Sequence, residues 1–156
     1  MMHSLQPRID LEAVAPGARD AVRALDTYVQ SRGLERALLE LVRLRASQLN
    51  GCQLCLVMHA HDARQAGVPQ RALDALSAWR EAPWYTDRER AALAWTEAVT
   101  LVAEGQVPDE VYDEARSQFT EAELAALTLA VCAINTWNRL AIGFRMQPSG
   151  ELAVAR

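Results

Sequence analysis

The sequence contains no lysine; all 16 of its basic residues are arginine. That absence removes a Schiff-base nucleophile, a pyridoxal-phosphate anchor and the lysine of a phosphate-binding GxxxxGK[ST] loop. Glycine and proline are scarce, 7 and 6 in 156 residues, and they fall at punctuation points. No run alternates apolar and polar residues in the manner of strands, and no repeat or low-complexity tract is present. A formal charge of -4 without a basic run argues against a nucleic-acid partner. Met1 to Arg8 lacks the apolar core of a signal peptide. The longest mostly apolar run, Leu124 to Ile134, falls short of the ~20 residues that a bilayer requires. The expectation is a cytoplasmic protein with no membrane partner.

What remains is ordinary globular material. Half the residues are apolar, 51%, and 23% are charged, enough for one domain with a core over 1–156. Alanine is abundant and favours helix. The pattern predicts an all-α fold, with helices over 18–30, 34–49, 52–66, 69–79, 86–104, 108–118 and 120–142. Thr86-Asp87-Arg88-Glu89 and Thr120-Glu121-Ala122-Glu123 are capping boxes that open two of them. The tail after Pro148 is expected to be loosely held. The last helix is apolar over most of its circumference from Leu124 to Ile134. It is therefore either the central helix of a monomer or a helix covered by subunit contacts.

The informative residues are cysteines. Cytoplasmic thiols are normally reduced, so Cys52-Gln53-Leu54-Cys55 points to redox chemistry or metal binding rather than a structural staple. Cys52, Cys55 and His59 are spaced i, i+3, i+7 and fall within about 60° of one another on a helix. Cys52 follows Asn50-Gly51 at a helix start, where free N–H groups and the helix dipole stabilise a thiolate. His59, one turn beyond Cys55, can accept or relay a proton. A second nearby thiol lets a sulfenic acid close to a disulfide instead of over-oxidising. Glu40 lies at the edge of the apolar arc Ala37, Leu38, Leu41, Leu44 of the preceding helix, where it can face and orient a histidine. Ser47 shares that face. Arg45 falls inside the arc and is expected to pair with a carboxylate or cross a subunit interface, since an unpaired buried charge is costly. His61 points away from the stripe and is expected on the surface or in packing. Cys132 is expected as a small buried hydrophobe. Trp79, Trp84, Trp95 and Trp137 are expected in the core or at subunit contacts.

Glu40, eleven intervening residues, then Cys52-x-x-Cys55-x-x-x-His59 resembles the AhpD-like alkylhydroperoxidase / carboxymuconolactone decarboxylase family. The run Arg43 to Cys52, the segments 77–81 and 89–98, and Asn135-Thr136-Trp137-Asn138-Arg139 resemble it too, so the likeness spans about 34–145. The resemblance implies an AhpD-like helical bundle that assembles as a homo-oligomer, a trimer or hexamer. It also implies reduction of a hydroperoxide at the expense of a dithiol electron donor, with no cofactor. By carry-over Cys55 is peroxidatic, Cys52 resolving, and His59 with Glu40 the proton relay. The helix-terminus argument instead makes Cys52 the more acidic thiol. Three other readings stand beside this one. One is a metal site built from Cys52, Cys55, His59 and either Glu40 or Cys132. Another is a redox sensor with little turnover. The last is a decarboxylase or lactone-processing enzyme, against which the intact CxxC speaks.

Overall fold

The computed structural model describes residues 6–148. Among them the chain forms nine α-helices and no strand, as the all-helical expectation requires. They are α1 (Leu11–Val14), α2 (Ala18–Gln30), α3 (Arg36–Asn50), α4 (Gln53–Gln65), α5 (Gln70–Asp74), α6 (Asp87–Thr100), α7 (Val102–Gly105), α8 (Asp109–Gln118) and α9 (Glu121–Phe144). The tail expected to be loose lies outside the described residues.

Local chemistry sets most boundaries. Both capping boxes form: the Thr86 and Thr120 hydroxyls accept from the Glu89 and Glu123 amides, and each glutamate reaches back to its cap. Gly51 closes α3 in the left-handed region at φ 69°, and the Cys52 amide donates to the Ser47 carbonyl across that turn. Two predicted helices are shorter than expected. The one over 69–79 splits into α5 and a 3-10 turn at Leu76–Ala78. Leu73, Leu76 and Trp79 are all buried, and a spacing of three suits 3.0 residues per turn rather than 3.6. The one over 86–104 breaks at Leu101, and α7 continues beyond the break. The single turn α1 was not foreseen, although its cap, the Asp10 carboxylate accepting from Glu12 and Ala13, was present in the sequence.

α3 packs on α4, α6 and α9, and α9 in turn packs on α2, α3 and α6. α9 has the length of a membrane span, 24 residues, and an 18-residue window within it has a mean hydropathy of 1.2. Its packing identifies it as the central helix of this fold. Leu127, Ala130, Val131, Ala133 and Ile134 are buried. One stripe is left outward, with Ala125, Cys132 and Arg139 exposed at heptad spacing. Cys132 is therefore exposed, contrary to expectation. An apolar run that continues around a helix does not reveal which face meets its neighbours. Of the tryptophans, Trp79 and Trp95 are buried as expected, whereas Trp84 is exposed with Arg71 over its ring.

Arg45 finds its carboxylate. Glu97 accepts from Arg45 Nε at 2.8 Å and from Trp79 Nε1 at 2.8 Å, and it also pairs with Arg80. Burial pushes the Glu97 carboxyl up, but these three donors outweigh it and hold its pKa below the ordinary value. Glu97→Ala leaves the Arg45 guanidinium largely buried and unpaired, and is expected to cost about 3 kcal/mol in urea unfolding. A loss near the fraction of a kcal/mol typical of exposed pairs would refute the buried-pair assignment.

Candidate active site

The two cysteines meet at the junction of α3, α4 and α9. Cys52 is the N-cap of α4 and Cys55 lies in its first turn. Both are buried in a small cluster with Ala46, Ile134 and Ala141. Their sulfurs are 2.8 Å apart. The two share a hydrogen bond in which Cys55 is the donor once Cys52 is ionised, and that bond draws the Cys52 thiol down from 9.0 to about 6 against the opposing effect of burial. The same bond and burial push Cys55 up. Asn138, fully buried on α9, pulls both thiols down through its amide.

The sequence pattern marks Asn138 only as part of the segment 135–139. In the fold it donates to the Ser47 hydroxyl at 3.0 Å and accepts from Asn50 Nδ2 at 2.8 Å. Ser47 thus joins the site through Asn138 rather than through His59. The cap, the partner thiol and this amide all favour the Cys52 thiolate.

Glu40 and His59 also meet. His59 Nδ1 lies 2.8 Å from Glu40 Oε2, and Arg43 Nη1 donates to Glu40 Oε1 at 2.7 Å. Burial raises the Glu40 carboxyl, but His59 and Arg43 reverse the direction and hold it below the ordinary value. An ionised carboxylate can only accept, so the imidazole donates Nδ1–H to it, which leaves Nε2 as the basic nitrogen. Arg43 is tied further to Asp26 at 3.3 Å, and Asp26 accepts from Trp137 Nε1 at 2.9 Å. His61 is exposed on the other side of α4.

A cavity of about 1140 Å³ opens beside this network, lined in part by Glu40, Arg43, Cys55, His59, Ile134 and Trp137. Trp137 is thus a cavity residue. Cys55 lines the space, and Cys52 is 1% exposed. Acidity and access are divided between the two thiols.

The residues that converge at metal-ligand separation among those described are Glu40, His59 and Asp62, with ligand atoms within 4.8 Å of one another. Both Glu40 oxygens already serve Arg43 and His59. A guanidinium on a ligating carboxylate opposes a cation there. Cys132, proposed as a fourth ligand, is exposed on α9, whereas the cysteine pair is buried.

Residues 16–98 match the carboxymuconolactone decarboxylase family. The chain belongs to that family. It is 34% identical over 138 residues to the uncharacterized protein YdfG of Bacillus subtilis (strain 168), covering 88% of this chain and 94% of that one. A solved structure from Agrobacterium tumefaciens, a protein of unknown function proposed to be the antioxidant defence protein AhpD, is 44% identical with a TM-score of 0.89. The match covers 94% of this chain and all of that one, 100%. An alkylhydroperoxidase AhpD core, the uncharacterized peroxidase-related protein of Ralstonia eutropha JMP134, shares the fold. Its TM-score is 0.78 at 21% identity, over 92% of this chain and 76% of that one. The AhpD-like fold implied by the Glu40, Cys52, Cys55, His59 pattern is thus present.

The site makes a titration prediction. In the reduced protein, thiolate ultraviolet absorbance is expected to rise with a midpoint near pH 6 from Cys52. Cys55→Ala removes the donor, and Asn138→Leu removes the amide; both should raise that midpoint. A midpoint that survives Cys52→Ala would contradict the assignment. Because the folded-state value is depressed, the thiolate's contribution to stability is full above about pH 9 and fades as pH falls through about 6.

Proposed function

We propose that this chain is a thiol-dependent hydroperoxide reductase that cycles Cys52 and Cys55 between dithiol and disulfide. The observation that carries this reading is the sulfur pair at 2.8 Å, with Cys55 on a cavity shared with the Glu40–His59 pair. The net reaction is ROOH plus two thiols giving ROH, water and a disulfide. His59 Nε2 takes one proton from the thiol pair, with Glu40 balancing the imidazolium, and the proton left between the sulfurs passes to Cys52, so that Cys55 carries the charge. The Cys55 thiolate attacks the terminal peroxide oxygen; an S–O bond forms, the O–O bond breaks, and RO⁻ takes the proton back. The Cys52 thiol then attacks the Cys55 sulfenic acid: the S–S bond forms, the S–O bond breaks, and the hydroxide leaves with the Cys52 proton as water. A dithiol donor returns two electrons and two protons.

Cys55 is assigned the attack because it reaches the cavity; the acidity of Cys52 suits the resolving step. The exposed α9 stripe around Ala125 and Cys132 supports a homo-oligomer as the working form, and sedimentation of the purified protein tests it.

The central test is consumption of an organic hydroperoxide with dithiothreitol as donor. Cys55→Ser is expected to lose turnover. Cys52→Ser should react once and stop, leaving a sulfenic acid that dimedone traps. Glu40→Gln is expected to slow the reaction by about 10²-fold, the lower range for a positioned acid–base group. Unchanged activity in Cys55→Ser would sink the proposal. A peroxide-formed disulfide that no dithiol donor recycles would leave a sensor instead.

A further inference from the structure

The cavity beside Cys55, at about 1140 Å³, is built on the scale of an organic ligand and far exceeds what hydrogen peroxide fills. Leu34, Leu39, Leu54, Met58 and Ile134 supply an apolar lining. Its cations are unequally neutralised. Arg43 is held by Glu40 and Asp26. Arg23 pairs with Asp20 at 3.1 Å, both side chains mostly exposed. Arg19 and Arg36 also line the cavity, and neither meets a carboxylate among the described residues. Arg19 Nε is moreover buried with no hydrogen-bond partner among the described residues. Folded chains seldom bury a guanidinium nitrogen without an acceptor. Asp62, the other acid on the lining, groups with Glu40 and His59 at the relay.

We propose that Arg19, assisted by Arg36, binds a carboxylate on the substrate, so that the molecule reduced at Cys55 is an organic hydroperoxide with an acidic head and an apolar chain. This rests on the peroxidase reading for the identity of the reacting group, though not for the binding of the acid. The helical rise places Arg36 one turn from Glu40, about 6 Å along α3. It places Arg19 two turns from Asp26, about 10 Å along α2. Arg19 thus sets the acidic head apart from the Asp26–Glu40 part of the cavity, and a run of methylenes along the apolar lining joins it to the reacting oxygen. The carboxylate takes no part in bond making. Electrons pass from the two thiols to the peroxide as in the proposed cycle, and the arginines act by holding the chain so that its O–O bond meets Cys55.

Two measurements separate this inference from the reading beneath it. The first is calorimetric titration of the reduced protein with octanoate and with octanol, which needs no turnover. Octanoate is expected to bind at least about tenfold more tightly, the worth of one charge-assisted hydrogen bond. Arg19→Gln should abolish the difference and Arg36→Gln should narrow it. Arg19→Lys should restore part of it, a rescue that would not follow if the substitution merely disturbed packing. The second is the ratio of kcat/KM for linoleic acid hydroperoxide to that for its methyl ester. It is expected to favour the acid by about tenfold and to fall toward one in Arg19→Gln. Equal affinity for octanoate and octanol, or a preference indifferent to Arg19, overturns the inference whatever the peroxide assay gives. Turnover without preference for the acid overturns it while the peroxidase reading stands. Arg19-dependent octanoate binding without peroxide consumption upholds the acid site and removes the peroxidase reading.

Discussion

The buried carboxylate of Glu40 is the constraint on which the site depends. Removing a carboxylate from water is costly unless cations and donors replace the lost hydration. Arg43 and His59 do so, one on each oxygen. Arg43 extends the arrangement to Asp26, and Asp26 to Trp137. Four helices, α2, α3, α4 and α9, are thus tied together through two carboxylates, Glu40 and Asp26, with Arg43 between them. The imidazole is oriented by the same contacts that fix the cavity wall, so packing and proton chemistry share a support.

Much of this was legible in the residues. The two capping boxes and the Asn50-Gly51 stop positioned α6, α9 and the start of α4 because each is a local event, settled within four residues. The Cys52, Cys55, His59 stripe followed from helical periodicity alone, and Glu40 from its place at the margin of an apolar arc. What escaped notice joins distant segments. Asp26 meets Arg43 across 17 residues and Trp137 across 111, and Asn138 meets Ser47 across 91. No spacing rule reaches that far. The outward face of Cys132 was hidden for a different reason: apolar residues continue around α9, so its own sequence holds no contrast between faces.

The division between the thiols resolves the tension between two sequence arguments. The helix-terminus argument concerned charge and selected Cys52. The family pattern concerned role and selected Cys55. Asn138, the cap position and the Cys55 hydrogen bond all act on the first quantity, and the cavity acts on the second. In the proposed cycle the more stable anion is kept away from the substrate, and the thiol beside it lines the cavity.

That arrangement bears on how the proposed cycle is reset. In the disulfide, an incoming donor thiolate from the cavity side meets the sulfur of Cys55, because that is the sulfur the cavity presents. A mixed disulfide then forms on Cys55, and Cys52 must depart. Thiol–disulfide exchange is faster when the departing sulfur is the more acidic. The depressed Cys52 pKa, which looks misplaced if acidity is equated with attack, thus makes Cys52 a good leaving group. The Asn138 amide and the helix terminus receive the departing sulfur's charge, so the geometry that shields Cys52 from oxidant also eases its release.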